Sequence, residues 1–333
     1  MVRRSSGGQT RIKLLAAIVC LSSGSIFLPT PDDTKRLDPA AWGGDHVGQP
    51  LPDYVTGDDC LFCHRGLTSW VTSRHRLTMR EAEADFPAIR ALQNSPSRKF
   101  ADETRIVLGR KHRVRFLKPT GEYGKLAVLS TEWMPPRPGE AARLDRTDNA
   151  RWDMTKFADS CAGCHTTGVD PKTRAFSSPA LDCYVCHGEA TLDHSKDTSL
   201  MLLSRARKDP PRVVISICAS CHIRSAKSRS TGLPYPNNFV AGDNLFRDFQ
   251  IDFSDEAIAK LNPADRHVLE NVRDVVLFGK DDLACLACHD VHKDSSKKHR
   301  DVAELPLCLN CHNAAGPKSA RKQYQVHSSA CEY

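Results

Sequence analysis

The chain is poor in aromatic side chains. Phe, Trp and Tyr make up 7% of its 333 residues, and its mean hydropathy is −0.43. A chain of this length is expected to form one or two domains around an apolar core. The protein part of that core is expected to be thin here, so we expect a bound group to supply much of the buried apolar surface.

Long apolar runs are absent beyond the N-terminus, which leaves no other segment able to span a membrane. The N-terminus combines a basic start, a short apolar run from Leu14 to Leu21 and small residues at 22–25. This pattern predicts a Sec-type signal peptide over 1–25, and so a periplasmic or otherwise exported protein. An uncleaved anchor is the alternative, and membrane association is expected only through that segment. Residues 26–56, rich in Pro, Gly and Asp, are predicted to be a linker.

Cysteine and histidine are abundant, at 14 residues each. Twelve cysteines form six C-x-x-C pairs, and each pair is followed directly by histidine. The motifs comprise Cys60, Cys63, His64; Cys161, Cys164, His165; Cys183, Cys186, His187; Cys218, Cys221, His222; Cys285, Cys288, His289; and Cys308, Cys311, His312. C-x-x-C-H is the attachment signature of c-type haem.

The chemistry of haem attachment explains this spacing. Two thiols three positions apart on one turn can each form a thioether with one of the two haem vinyl groups. The following imidazole then lies under the iron as the proximal ligand. We therefore predict six covalently bound haem c groups, with the six motif histidines as proximal ligands.

Two other kinds of site use paired cysteines. Six pairs could form three zinc sites with four thiolates each, or a disulfide framework in a secreted protein. Neither explains why histidine follows the second cysteine in all six motifs, so haem is the preferred interpretation.

The formal net charge of +7 does not indicate nucleic-acid binding. Loss of the four basic residues of the signal leaves about +3, and six ferric haems with ionised propionates would bring the net charge to about −3. Arginine and lysine are partly needed to pair with those propionates. Other redox proteins, either cytochromes or multihaem oxidoreductases, are the expected partners.

The second axial ligands are expected to be histidines for most irons. Eight histidines lie outside the motifs, against four methionines in the mature chain. Bis-His ligation implies lower reduction potentials than Met/His ligation. The position of His46 in the linker and of His299 in a charged run makes them less favoured. The candidate distal ligands are His75, His194, His267, His292, His112 and His327.

The expected fold is mainly α with extensive loops, with the haems forming much of the core of a single domain over 57–330. One β element is predicted at about 104–130, as a hairpin or three-stranded ribbon with a turn at Pro119, Thr120 and Gly121. The clearest helix is predicted over 262–279, with Asn262 as N-cap, Pro263 at the first position and Gly279 at the end.

With these motifs, the chain resembles the cytochrome c-554-like multihaem family, which is related to the hydroxylamine oxidoreductase superfamily. The resemblance covers roughly 56–316. It is carried by Trp70 with Ser73 to His75, by the second motif with Thr166 to Gly168, by Cys183 to His194, by Cys218 to Asp243, and by Cys285 to His292. It implies closely packed haems and distal ligation by His75, His194 and His292. The chain departs from the family in number: it has six motifs, whereas the family's type member has four haems.

Three functions remain open. The first is electron transfer along closely packed haems. The second is a multihaem oxidoreductase that acts on nitrite, hydroxylamine or a sulfur oxyanion at a haem with an open distal site. The third is a filament-forming cytochrome, for which nothing in the sequence is specific.

Overall fold

The computed structural model describes residues 45–50, 57–110, 112–278, 285–287, 289 and 291–292. The predicted signal peptide, most of the predicted linker, the sixth motif and Cys288 of the fifth lie outside the described residues. So do Gly279, His299 and His327.

A six-stranded antiparallel sheet dominates the first half of the described chain. The strand order is β1-β2-β3-β4-β5, and β6 also pairs with β4. The strands are β1 (Met79–Glu81), β2 (Ile106–Leu108), β3 (Val114–Pro119), β4 (Leu126–Met134), β5 (Arg143–Asp145) and β6 (Trp152–Asp153). The predicted turn between β3 and β4 is confirmed, because Val114 pairs with Trp133 and Pro119 with Leu126.

The prediction of a mainly α fold with a small β insertion is wrong. The predicted ribbon forms the middle of the sheet, and β1, β5 and β6 extend it on both sides. These added strands are only two or three residues long, too short to show an alternating pattern. The helices are also shorter than expected, and only two of those described exceed eight residues.

The sheet is covered on both faces, which explains the unbroken apolar run Leu126 to Leu129 in β4. On one face Val114, Phe116 and Leu129 pack with Leu92 of the helix α3 (Phe86–Gln93). On the other face the core includes these residues: Leu117, Val128, Phe157, Cys161 and Ala162. The sheet therefore supports the second C-x-x-C-H motif directly.

The described helices are mostly single turns, and most carry or flank a motif. They are α1 (Gly57–Cys63), α2 (Thr68–Val71), α3 (Phe86–Gln93), α4 (Lys156–Ser160), α5 (Ala162–His165), α6 (Tyr184–His187), α7 (Pro211–His222), α8 (Asp255–Ala259) and α9 (Pro263–Phe278).

The predicted start of the last helix is confirmed. The side chain of Asn262 accepts a hydrogen bond from the amide of Asp265 at 3.1 Å, as an N-cap does. Leu269 and Val272 of α9 pack against Ile215 and Ala219 of α7. This contact holds the fourth motif, at the end of α7, against the last described helix.

Two small antiparallel sheets connect the motifs. Strand β7 (Thr166–Val169) follows the second motif and pairs with β8 (Phe176–Pro179), which leads to the third motif. Strands β9 (Lys227–Ser228) and β10 (Phe249–Gln250) form the other sheet, after the fourth motif. The hydroxyl of Thr167 donates to Ala180 at 2.9 Å and accepts from the amide of Asp182 at 3.0 Å. The second and third attachment turns are thus joined by a hairpin with side-chain support.

Candidate haem-binding site

The five motifs that the structure describes in whole or in part each lie on one helical turn. In three of them the histidine amide donates to the carbonyl of the first cysteine at 2.9 Å. These are His64 to Cys60, His187 to Cys183 and His289 to Cys285. Residues three and four positions apart share one face of a helical turn. In the first and third motifs both thiols and the imidazole are therefore set to meet one cofactor, as the spacing predicts.

Thiols from different motifs approach one another. The thiols of Cys60 and Cys183, of Cys164 and Cys221, and of Cys218 and Cys285 lie near enough to shift one another's pKa. The contact with Cys183 lowers the pKa of Cys60 to about 7. The first attachment turn therefore lies beside the third, the second beside the fourth, and the fourth beside the fifth.

Three histidine pairs bring a motif histidine together with a histidine outside the motifs. The ring centres of His64 and His194 lie 6.0 Å apart, and their planes differ by 20°. His187 and His292 lie 5.9 Å apart with planes 16° apart. The rings of the third pair, His75 and His222, lie 6.2 Å apart at 75°.

This spacing fits two imidazoles that share one metal ion. A metal–imidazole bond is about 2 Å long. With the ring centre about 1 Å behind its nitrogen, two axial rings have their centres about 6 Å apart. Direct aromatic contacts also span about 4.5–7 Å, so the feature that favours a shared metal ion is the pairing of a motif histidine with a histidine outside the motifs.

Hydrogen bonds at Nδ1 prepare two of these rings as ligands. Nδ1 of His187 lies 2.6 Å from the carbonyl oxygen of Leu202, and Nδ1 of His194 lies 2.5 Å from that of Thr191. Donation from Nδ1 to a carbonyl leaves the lone pair on Nε2, and metal-binding histidines are commonly held in this way. Both rings are therefore in the tautomer that an iron ligand needs.

Burial keeps four imidazoles of the site neutral. Desolvation lowers the pKa of His165 and that of His222 to about 4. It also lowers the pKa of His187 and that of His75. A ligating imidazole must be deprotonated, so these rings are ready to bind a metal at neutral pH.

His165 has a different environment from the paired histidines. It does not belong to any of the three pairs. Besides burial, the positive charges of Arg224 and Arg115 lower its pKa. Arg115 is itself held 2.7 Å from the buried carboxylate of Glu132.

The other candidate distal ligands lie in different surroundings. His112 is exposed between β2 and β3. The ring nitrogens of His267 on α9 lie 3.2 and 3.3 Å from the side-chain nitrogen of Asn271. His327 lies outside the described residues. Of the six candidates, the structure thus brings His75, His194 and His292 to motif histidines.

Two contacts near the site were missed by sequence reasoning. Nδ1 of His46, less favoured as a ligand, lies 2.9 Å from the largely buried carboxylate of Asp243. The ring of Tyr235 lies against Gly163 inside the second motif, and its hydroxyl donates to the carbonyl of Ala158. Neither contact has a local sequence signal, because each joins segments that lie far apart in the chain.

The described part of the chain shows no cluster of three or more His, Cys, Asp and Glu side chains able to hold a metal ion. The candidate ligands instead occur as pairs of imidazoles. Two axial ligands leave the positions around them to a planar cofactor, which is how haem iron is bound. None of the described helices has both the length and the apolar character that crossing a membrane requires.

Comparison with known proteins adds little to what these residues indicate. No protein-family model matches the chain, and no curated protein matches it. The chain is similar to a solved structure, the undecaheme cytochrome from the S-layer of Carboxydothermus ferrireducens, with 18% identity and a TM-score of 0.42. The match covers 80% of this chain and 44% of that chain, so this chain spans less than half its length. A likeness this distant carries no argument about function.

Proposed function

We propose that the chain is an exported hexahaem c-type cytochrome that transfers electrons through closely packed, mostly bis-His haems. The observation that carries the proposal is the set of three histidine pairs, each combining one motif histidine with one distant histidine at 5.9–6.2 Å. Haem iron in such a pair of imidazoles supplies a one-electron couple. The attachment cysteines, the proximal histidines and the distal histidines of this chain would hold it.

The contacts between attachment turns support transfer from one haem to the next. The thiol contacts link the first turn with the third, the second with the fourth and the fourth with the fifth. Cofactors fixed to adjacent turns must themselves lie close together. The role of the chain is then to fix their spacing and to set their potentials through axial ligands, burial and nearby charge.

A redox partner is proposed to dock near the first attachment turn. Phe62 is 73% exposed and Leu192 is 83% exposed, each two residues from a member of the His64–His194 pair. Most other large apolar side chains of the described chain are covered. Weak docking of a partner over an exposed cofactor edge is typical of electron-transfer complexes.

A multihaem oxidoreductase is the second candidate, favoured by the surroundings of His165. Arg224 places positive charge near this imidazole, while the charge of Arg115 is shared with the buried carboxylate of Glu132. Such charge would stabilise an anion that is being reduced, for example nitrite or a sulfur oxyanion. A high-spin iron that binds nitrite or hydroxylamine would favour this function over electron transfer alone.

Intact-mass analysis of the exported protein tests the main proposal. Six added haem masses that survive acid–organic extraction are expected, because thioether bonds resist extraction. The double variant Cys60→Ala/Cys63→Ala should lose one of the six, while Cys331→Ala, outside the motifs, should lose none. A mass equal to bare polypeptide, or to polypeptide plus zinc, would contradict the proposal.

A further inference from the structure

Trp70 occupies the space between two of the histidine pairs. Its ring centre lies 6.2 Å from that of His75, with the planes only 13° apart. It also lies 6.1 Å from the ring centre of His292, edge to face at 84°. Only 7% of Trp70 is exposed. One buried indole therefore contacts the distal histidine of two different pairs.

The backbone around Trp70 fixes the position of His75. The carbonyl of Trp70 accepts from the amide of Ser73 at 2.9 Å. The buried Ser73 in turn accepts from Leu77 at its carbonyl and from Arg76 at its hydroxyl, at 2.9 and 3.2 Å. His75 lies inside this turn, so it moves with Trp70.

The residue before Trp70 holds the other distal histidine. The hydroxyl of Ser69 donates to the carbonyl of His292 at 2.7 Å. The short helix α2 thus contacts His75 through the indole of Trp70 and the turn that follows it. It contacts His292 through the same indole and the hydroxyl of Ser69. His75 and His292 face His222 and His187, which belong to different motifs.

We propose that Trp70 is a positioning residue that orients the distal ligands of two neighbouring haems at once, those of the His75–His222 and His187–His292 pairs. The inference rests on the proposed function, since it requires haem iron between the paired rings. Aromatic contacts at this distance favour defined ring orientations. The orientation of the axial imidazoles and the groups around them tune the reduction potential of a haem iron. A change at Trp70 therefore alters two haems together and leaves the others unchanged.

The test is electron paramagnetic resonance of the ferric holoprotein carrying Trp70→Leu. The low-spin signals of two irons are expected to shift, or to be replaced by a high-spin signal, while the haem mass stays complete. The variants His75→Met and His292→Met identify the two signals. Trp152→Leu is the matched control, because Trp152 packs on Phe100 at the edge of the sheet and contacts Glu103.

Two smaller substitutions keep the test decisive if the Trp70→Leu protein does not acquire its haems. Trp70→Phe should keep all haems low-spin and shift the same two signals. Ser69→Ala removes only the hydroxyl that holds His292, so it should change the signal of the His187–His292 pair alone. Full haem loading with an unchanged spectrum in the Trp70 variants, or a change of both signals in Ser69→Ala, would overturn the inference. An absence of haem in the unmodified protein would instead overturn the proposed function.

Discussion

Replacing His194 with alanine removes one imidazole from the His64–His194 pair and leaves every C-x-x-C-H motif intact. The two ring centres lie 6.0 Å apart, and an alanine methyl group offers neither a lone pair nor the reach to replace the lost ring. One iron should therefore lose its sixth ligand and become high-spin. With the six haems that we propose, this is about one sixth of the total iron.

The cost of this change to the fold should be small. His194 is half-buried in a 3-10 turn, and its side chain loses the ring contact with His64 and the hydrogen bond from Nδ1 to Thr191. A hydrogen bond of this kind contributes about 0.5–1.5 kcal/mol. The variant should therefore mature with all its haems, which keeps the change of spin state interpretable.

Spin quantification of the ferric protein measures this prediction. The high-spin signal of His194→Ala should disappear when free imidazole is added, because imidazole can occupy the vacated position. His112→Ala is the control, since His112 is exposed and far from the three pairs in the chain. A fully low-spin His194→Ala variant, or an equal high-spin fraction in both variants, would refute the assignment of His194 as a distal ligand.

Three further predictions concern stability, each measured by denaturant unfolding of the holoprotein. A Cβ on Gly163 would lie 2.2 Å from the ring of Tyr235, so Gly163→Ala should cost about 1–3 kcal/mol, whereas Gly66→Ala, with open space around it, should not be destabilised by overpacking. Glu132→Ala removes the buried carboxylate that three partly exposed arginines share and should cost about 1–3 kcal/mol; an unchanged stability would contradict this. Burial opposes ionisation of Asp248, but hydrogen bonds from neighbouring serines and backbone amides outweigh it and lower its pKa, so its stabilisation should be present at neutral pH and be lost as the pH falls below about 4. Asp248→Asn should remove that part of the acid dependence, and an unchanged acid profile would contradict the prediction.

The attachment turns could be predicted from the sequence because their chemistry is local. Two cysteines and a histidine within five residues carry both the spacing and the ligand. The same holds for the start of α9, where Asn262 and Pro263 are adjacent signals. Such features depend on contacts within one turn of the chain, and sequence records them directly.

The extent of the sheet could not be predicted in this way. Strand β6 contributes only Trp152 and Asp153, and it is held by pairing with Leu129 and Val128 of β4. A two-residue strand exists because its partner is already in place, and it has no periodic pattern of its own. The mainly α prediction therefore counted the helical turns of the motifs and overlooked the strands that support them.

The histidine pairs could be predicted from the sequence only in part. Counting histidines against methionines predicts bis-His ligation, but it cannot assign a partner to a given motif. His75 faces the fourth motif and His292 the third, although each follows a different motif in the sequence. This exchange of partners is seen only in the packing of α2 between His75 and His292, and no sequence pattern indicates it.

The buried motif imidazoles are energetically unfavourable unless something binds them. Burial lowers the pKa of His165, His187 and His222, and in the described chain Nδ1 of His165 is buried without a hydrogen-bond partner. A buried polar group left unsatisfied costs about 1–3 kcal/mol. A group that binds only the folded state offsets such costs through its own binding free energy. A chain with few aromatic residues that buries several imidazoles in this way is therefore expected to depend on the proposed cofactors for stability as well as for chemistry.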